Sequence, residues 1–422
     1  MRLKLIAIAK YIYQIMVNNK KVLENYFFMT ILQVINSMFY LFLYPYLIRT
    51  IGTEGYGLYV FALSISTYFT TFVNFGFDFP SVKTISKNQD NISAKEIVLS
   101  NVLTAKVYLE LMSVAVFVFL IFLIPGLYKN WEIYAICFGN TLMGVLLPIW
   151  YYQGMQKMRT LTVIQLSFKL TSILFIFIFV RKPDDIWVFA LIATLNNVLS
   201  GITAHLYIRY VDKIKIRLTN FKVVKGYFKD ALPFFWANST GIIKQQSTTV
   251  LIGSFFDMTD VALYDLAYKI ISIPQMLVSS INGALFPKII NSLTSDKIKK
   301  ILQVEALIGF AAIAGVVLFG SFLVHLLGGN EMQYSYPISV VLSLTIFTWL
   351  IVGCLISFIF VPKGLYYYVT KNQFVAFISF FAFSFIGLMF YSNPIVIAVA
   401  FSLSGIMEVI YCRYVILKNK LL

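Results

Sequence analysis

Apolar runs of about 20 residues, the length that crosses the hydrocarbon layer of a bilayer as a helix, recur along this chain from residue 26 to residue 416. No other feature constrains the fold as tightly. Backbone N–H and C=O groups find no water in lipid, so a spanning segment must be a helix or a strand of a closed barrel. Barrel strands would read as roughly ten-residue segments of alternating polarity, and these runs do not alternate. Composition agrees, with 59% of the 422 residues hydrophobic and 12% charged, against roughly 25% charged in ordinary soluble proteins. A soluble surface cannot hold so much apolar side chain, whereas a lipid-facing one can. The sequence predicts an all-α integral membrane protein of about twelve transmembrane helices.

The spans fall at 26–48, 57–77, 99–124, 131–153, 160–180, 186–208, 232–254, 261–287, 303–327, 336–360, 373–391 and 394–416. Turn-forming residues separate them, as at Pro125–Gly126, Pro183–Asp184, Gly328–Gly329 and Asn393–Pro394. Aromatic residues crowd the span ends, as at Trp131, Trp150–Tyr151–Tyr152 and Trp187, the expected interfacial belt. Residues 1–25 are apolar but carry Arg2, Lys4 and Lys10, and read as an interfacial amphipathic segment; a thirteenth span is the alternative. Cys137, Cys354 and Cys412 sit apart within apolar runs and imply neither disulfides nor a metal site. No cofactor is expected.

The net charge of +16 is not a nucleic-acid signature, because the basic residues sit in short loops between spans. With the N-terminus inside, 26 Lys and Arg fall on inner segments and 4 on outer loops (Arg49, Lys129, Arg181, Lys182), with the remaining 4 inside spans. That bias places both termini in the cytoplasm and makes the span count even. The most basic inner loop, Arg209 to Lys229, divides the chain nearly in half. The expected organisation is an N-terminal lobe at 26–208, a basic cytoplasmic linker at 209–231, a C-terminal lobe at 232–416 and a short cytoplasmic tail at 417–422. The halves echo each other: Leu47–Ile48 matches Leu251–Ile252, and with one residue inserted Leu58–Tyr59 matches Leu263–Tyr264. Two six-helix lobes in the same orientation put a central cleft between them near mid-membrane.

Ionisable side chains inside a span face a cavity or a partner, because lipid exposure costs a few kcal/mol. Lys106 and Glu110 lie four apart, as do Asp265 and Lys269, so each pair can neutralise itself on one helix face; internal packing and cavity lining both fit. Glu408 lies near Arg413 and reads as half of an interfacial pair. Lys169 and Lys244 have no carboxylate within helical reach. Lys169 can snorkel toward the surface, but Lys244 is close to the bilayer centre. Around it stand Asn238, Thr240, Gln245 and Ser247, and the matching span of the first half carries Gln33, Asn36 and Tyr40. Both spans are expected to line an aqueous cleft, packing between polar helix faces being the alternative. Lys244, Lys169, Lys269 and Lys106 make that cleft cationic, with Asp265, Glu110 and Asp78 as candidate charge or ion-coupling partners. An excess of lysine suits an anionic cargo such as a pyrophosphate.

Several segments resemble a known family. Arg49-Thr50-Ile51-Gly52-Thr53-Glu54-Gly55-Tyr56-Gly57-Leu58-Tyr59 is similar to the first outer loop of bacterial polysaccharide exporters, as are Asn74-Phe75-Gly76-Phe77, Trp150-Tyr151-Tyr152-Gln153-Gly154 and Phe286-Pro287-Lys288. Over nearly the whole chain the order of these segments resembles the Wzx-type flippases of the multidrug/oligosaccharidyl-lipid/polysaccharide exporter superfamily. The resemblance implies a protein of the bacterial cytoplasmic (inner) membrane that is not an enzyme. Its expected cargo is an undecaprenyl-pyrophosphate-linked oligosaccharide, carried by alternating access to the periplasmic leaflet for O-antigen (lipopolysaccharide) or capsule assembly. Lysines would engage the pyrophosphate, and polar and aromatic residues the sugars. The repeat-unit polymerase and chain-length regulator are the expected protein partners, and the bilayer the lipid one. The mid-span cations are all lysines where this family often uses arginines, so roles carry over by location only. The alternatives are another exporter of the superfamily, taking a different polyprenyl-linked precursor or a drug cation, and a membrane polysaccharide polymerase, which the short outer loops disfavour.

Overall fold

The computed structural model describes residues 20–289 and 294–421. Most of the expected interfacial segment, and the side chains of Tyr40 and of Phe286-Pro287-Lys288, lie outside the described residues. Among the described residues the chain is helical with no strand. In order come α1 (Lys20–Asn74), α2 (Asp78–Lys87), α3 (Ile92–Leu123), α4 (Pro125–Tyr128), α5 (Trp131–Phe138), α6 (Thr141–Leu146), α7 (Ile149–Gly154), α8 (Met158–Phe179) and α9 (Ile186–Tyr210). The second half holds α10 (Phe221–Phe255), α11 (Met258–Ile289), α12 (Ser295–Gly328), α13 (Ser335–Leu355), α14 (Tyr366–Phe390) and α15 (Pro394–Lys418).

Nine stretches among these are both long and apolar enough to cross a membrane. The first, 48 residues from Phe27 to Asn74, would be about 70 Å long at 1.5 Å per residue, twice the hydrocarbon thickness. It is two passes. Gly52 breaks it with φ 77° and ψ 168°, a backbone region open to glycine and strained for other residues. Two further helices, α10 with 35 residues and α11 with 32, are long enough to cross but are not among the nine; within their described residues they carry Lys244, Gln245 and Gln246, and Asp265 and Lys269. With these two, and the first stretch counted as two passes, the described residues make twelve, as the sequence predicts.

The structure departs from the expected spans in two places. The fourth, expected as one run over 131–153, is three short helices, α5 to α7, broken at Gly139–Asn140 and Leu147–Pro148. Pro148 has no N–H to continue a helix, and the last carbonyls of α6 are left without helical donors. Two side chains take them: the buried Lys106 ammonium donates to Gly144 O at 3.0 Å, and Nδ1 of the half-buried His205 sits 2.8 Å from Leu146 O. The second departure is the linker. The helix of the seventh span starts at Phe221 rather than 232, and after a turn at Lys213 (φ 54°) residues 214–220 run along α3 without helix. There the backbone N–H groups of Lys215, Arg217 and Thr219 donate to the side chains of Glu96, Ser100 and Thr104 at 2.9, 3.0 and 3.0 Å. A two-residue step along this segment thus meets a four-residue step along a helix face.

The halves pack against each other at both ends of α1's second pass. Near the Gly52 end, Tyr44 donates to Ala262 O at 3.2 Å, and a Cβ on Gly57 would meet Met258 O at 1.7 Å. At the other end Phe75 stacks on Phe235 at 4.7 Å and Phe79 on Phe234 at 5.5 Å. Gly76, with φ +73°, allows the approach there: a Cβ would lie 2.6 Å from Phe235 N.

Candidate functional site

Two cavities lie between these contacts. The larger, about 390 Å³, is lined by α10, α11, α13, α14 and α15, and Lys244 is in its wall. The Lys244 ammonium is 2.8 Å from Glu408 Oε1 and 3.4 Å from Ser404 Oγ, and lies over the Phe401 ring at 4.9 Å. Side-chain exposures of 11% and 13% make this a nearly buried ion pair. Asn372 is fully buried behind it, its Nδ2 3.4 Å from Glu408 Oε2 and its own carbonyl oxygen without a protein partner. Glu408 therefore pairs across helices with Lys244, not with Arg413 as its place in the sequence suggests. Partners 164 residues apart in sequence leave no periodicity that would connect them, although a carboxylate inside an apolar span was itself a signal.

The second cavity, about 230 Å³, lies where the second pass of α1 faces α10 and α11. Here the Asp265–Lys269 pair forms as its i, i+4 spacing predicts. Tyr56 of the first half joins it, donating to Asp265 Oδ2 at 2.9 Å and accepting from Lys269 Nζ at 2.6 Å. A little further along, Tyr68 Oη and Ser247 Oγ are 2.8 Å apart across the halves. Gln245 and Tyr268 line both cavities, so the two adjoin.

The other predicted residues lie elsewhere. Lys106 and Glu110 do not pair with each other. The lysine donates to Asn74 Oδ1 at 2.9 Å and to Gly144 O, with Asp78 at 3.4 Å, while Glu110 accepts from Thr141 at 2.5 Å. The broken fourth span offers Lys106 a bare carbonyl, which competes with the carboxylate one turn away. Lys169 donates to the Asn36 carboxamide, with its ammonium 4.7 Å from the Phe39 ring centre. Thr240 bonds back to Trp236 O at 2.7 Å within its own helix, and Gln33 is exposed and lines neither cavity. The four lysines thus occupy separate places, with Lys244 and Lys269 in neighbouring cavities and Lys106 and Lys169 in neither. In both cavities the lysine is matched by a carboxylate, so the expected excess of positive charge is absent from their described linings.

Twelve helical passes in two packed halves, with ion-paired polar cavities inside and between them, define a membrane transporter. Comparison with known proteins narrows the class. The family model for polysaccharide biosynthesis proteins matches residues 22–293, and the chain belongs to that family. A protein of Escherichia coli (strain K12) named "Putative O-antigen transporter" is 25% identical over 321 residues, 74% of this chain and 75% of its own. A protein of the same name from Shigella dysenteriae is 24% identical over 314 residues, 71% and 76% of the two chains. Among solved structures, the lipid II flippase MurJ in an inward closed conformation superposes with a TM-score of 0.70 at 14% identity, covering 92% of this chain and 86% of that one. An inward-facing multidrug resistance MATE family transporter of the MOP superfamily gives 0.64 at 13%, covering 93% and 99%. These two likenesses establish the shared fold.

Proposed function

We propose that this protein is a flippase that carries an undecaprenyl-pyrophosphate-linked oligosaccharide from the cytoplasmic to the periplasmic leaflet of the bacterial inner membrane, for O-antigen or capsule assembly. The carrying observation is a polar, ion-paired cavity system inside membrane-spanning helices of a polysaccharide biosynthesis family member. A lipid-linked glycan has a polar head that cannot cross hydrocarbon and a polyprenyl tail that can stay in it. The head needs a polar path between helices, and the tail needs lipid beside that path. The relatives' name and the flippase fold support this reading.

In the mechanism that follows, the halves alternate between contact at the Gly52 end and contact at the opposite end. Tyr56, Asp265 and Lys269 hold one end, and the stacked Phe75–Phe235 and Phe79–Phe234 pairs the other. Lys269, in the cavity between the halves, meets the pyrophosphate by exchanging the Asp265 carboxylate for a phosphate oxygen, so the charge is never left bare in a low dielectric. Both termini are cytoplasmic in this reading, and the repeat-unit polymerase and chain-length regulator act on the product. Deleting the gene tests it. Surface polysaccharide should be lost and lipid-linked repeat units should accumulate facing the cytoplasm. Units that reach the periplasm and remain unpolymerised there would make the protein a polymerase instead.

A further inference from the structure

The cavity around Lys244 and Glu408 has a lining whose chemistry is more specific than that of a generic polar cleft. Amide side chains reach it from three helices: Asn238 and Gln245 from α10, Gln275 from α11 and Gln373 from α14. Each amide presents a donor and an acceptor at once. Aromatic rings face the same space from three helices, Tyr268 of α11, Trp349 of α13 and Phe401 of α15. Gly241 and Gly405 keep it open. A Cβ at Gly241 would come to 3.3 Å from Gln373 Oε1, and one at Gly405 to 2.5 Å from Thr348 Oγ1.

We propose that this cavity, lined by the second half alone, is a glycosyl pocket that receives a sugar of the cargo while the pyrophosphate stays outside it. This assignment rests on the flippase reading above. Three observations favour a sugar over the phosphate. First, the one cation of the described lining, Lys244, is matched by Glu408 at 2.8 Å. A diphosphate entering here would bring its charges against that carboxylate and find no second cation, whereas a neutral polyol can bond to both partners without separating them. Second, alternating amides and ring faces match a pyranose, whose hydroxyls at the edge need donors and acceptors and whose C–H faces lie against aromatic rings. Third, the volume of about 390 Å³ is at the low end of the ~300–1,000 Å³ typical of small-ligand sites, the scale of one or two sugars. Gln245 and Tyr268 line this pocket and also the cavity between the halves. A ligand held between the halves therefore lies next to the pocket, at the amide of Gln245 and the ring of Tyr268.

The test uses the full-length protein, purified in detergent, and the oligosaccharide released by mild acid from the lipid-linked repeat unit of the host strain. Binding is followed by titration calorimetry, with inorganic pyrophosphate as competitor. The wild-type protein should bind the free oligosaccharide. Trp349→Ala and the near-isosteric Gln373→Leu should each weaken it at least tenfold while eluting as monodisperse, folded protein, and pyrophosphate should leave the affinity unchanged. Displacement by pyrophosphate would overturn the assignment, because the pocket would then hold the head group. Equal affinity in both folded variants, or no binding by folded wild type, would also overturn it. The flippase reading fails separately: a deletion strain that still turns its lipid-linked units outward would remove that reading and the pocket with it. A strain that stops turning them, with a protein that ignores the oligosaccharide, would remove the pocket alone.

Discussion

Replacing Lys244 by Met tests the ion pair at the heart of the second half. Met fills nearly the same volume but leaves the Glu408 carboxylate with one weak donor, Asn372 Nδ2 at 3.4 Å. Breaking a buried pair by removing one partner costs about 3–5 kcal/mol, chiefly because the survivor stays desolvated. The cavity reaches this pair, so the low end applies, about 3 kcal/mol. Glu408→Gln should cost less, since the glutamine amide oxygen and Ser404 Oγ can still accept from the ammonium. The double variant Lys244→Met/Glu408→Gln leaves no charge and should recover most of the loss, giving a coupling energy of roughly 2 kcal/mol, about thirtyfold in an equilibrium constant. Unfolding of the four purified proteins in one detergent, followed by circular dichroism, measures that cycle. Single variants as stable as wild type, or a double variant as unstable as the sum of the singles, would refute the reasoning. The same cycle separates folding from transport. The double variant should be stable yet display little surface polysaccharide, because the pocket has lost both charged hydrogen-bonding groups.

Other consequences are as concrete. Tyr56→Phe removes the hydroxyl that bridges the first half to Asp265 and Lys269; at about 1 kcal/mol for such a bond, the closed-to-open ratio at this end, followed by spin labels on the exposed Glu54 and Asp257, should fall roughly fivefold, and an unchanged ratio would exclude Tyr56 as a latch. Gly76→Ala places a Cβ on backbone at positive φ, whereas Gly126→Ala meets open space; the first should lower thermal stability by an amount equivalent to about 1–3 kcal/mol and the second should be neutral. Alkaline phosphatase fused after Lys225 should be inactive and after Gly329 active, and the reverse pattern would invert the topology.

How much of this was legible in the sequence depends on the range of each signal. The spans were, because 20-residue hydropathy is local and lipid enforces it. The Asp265–Lys269 pair was, because four residues on a helix is a fixed distance. The same rule failed for Lys106 and Glu110, since it cannot know that the fourth span breaks at Leu147–Pro148 and exposes the Gly144 carbonyl to the lysine. That Lys244 is a cation among polar side chains is legible along its own helix, but its partner Glu408 comes from the last helix, and only the packed second half brings them within 2.8 Å. The single cationic cleft resolved into separate, charge-matched sites for the same reason, because lysines spread over four helices share a cavity only if tertiary packing turns them to it. The polar strap at 214–220 read as a basic loop, and its docking on Glu96, Ser100 and Thr104 becomes visible only once α3 is beside it.

The central claim is that the protein moves a lipid-linked glycan between leaflets, and reconstitution measures that movement itself. Liposomes containing the radiolabelled lipid-linked repeat unit are treated with a membrane-impermeant oxidant of sugar diols. Without protein, the inner-leaflet pool should stay protected. With the purified wild-type protein that pool should become fully oxidised while the vesicles stay sealed, and with Lys244→Met/Glu408→Gln it should drain far more slowly. An inner pool that stays protected in sealed vesicles holding folded wild-type protein would contradict the account.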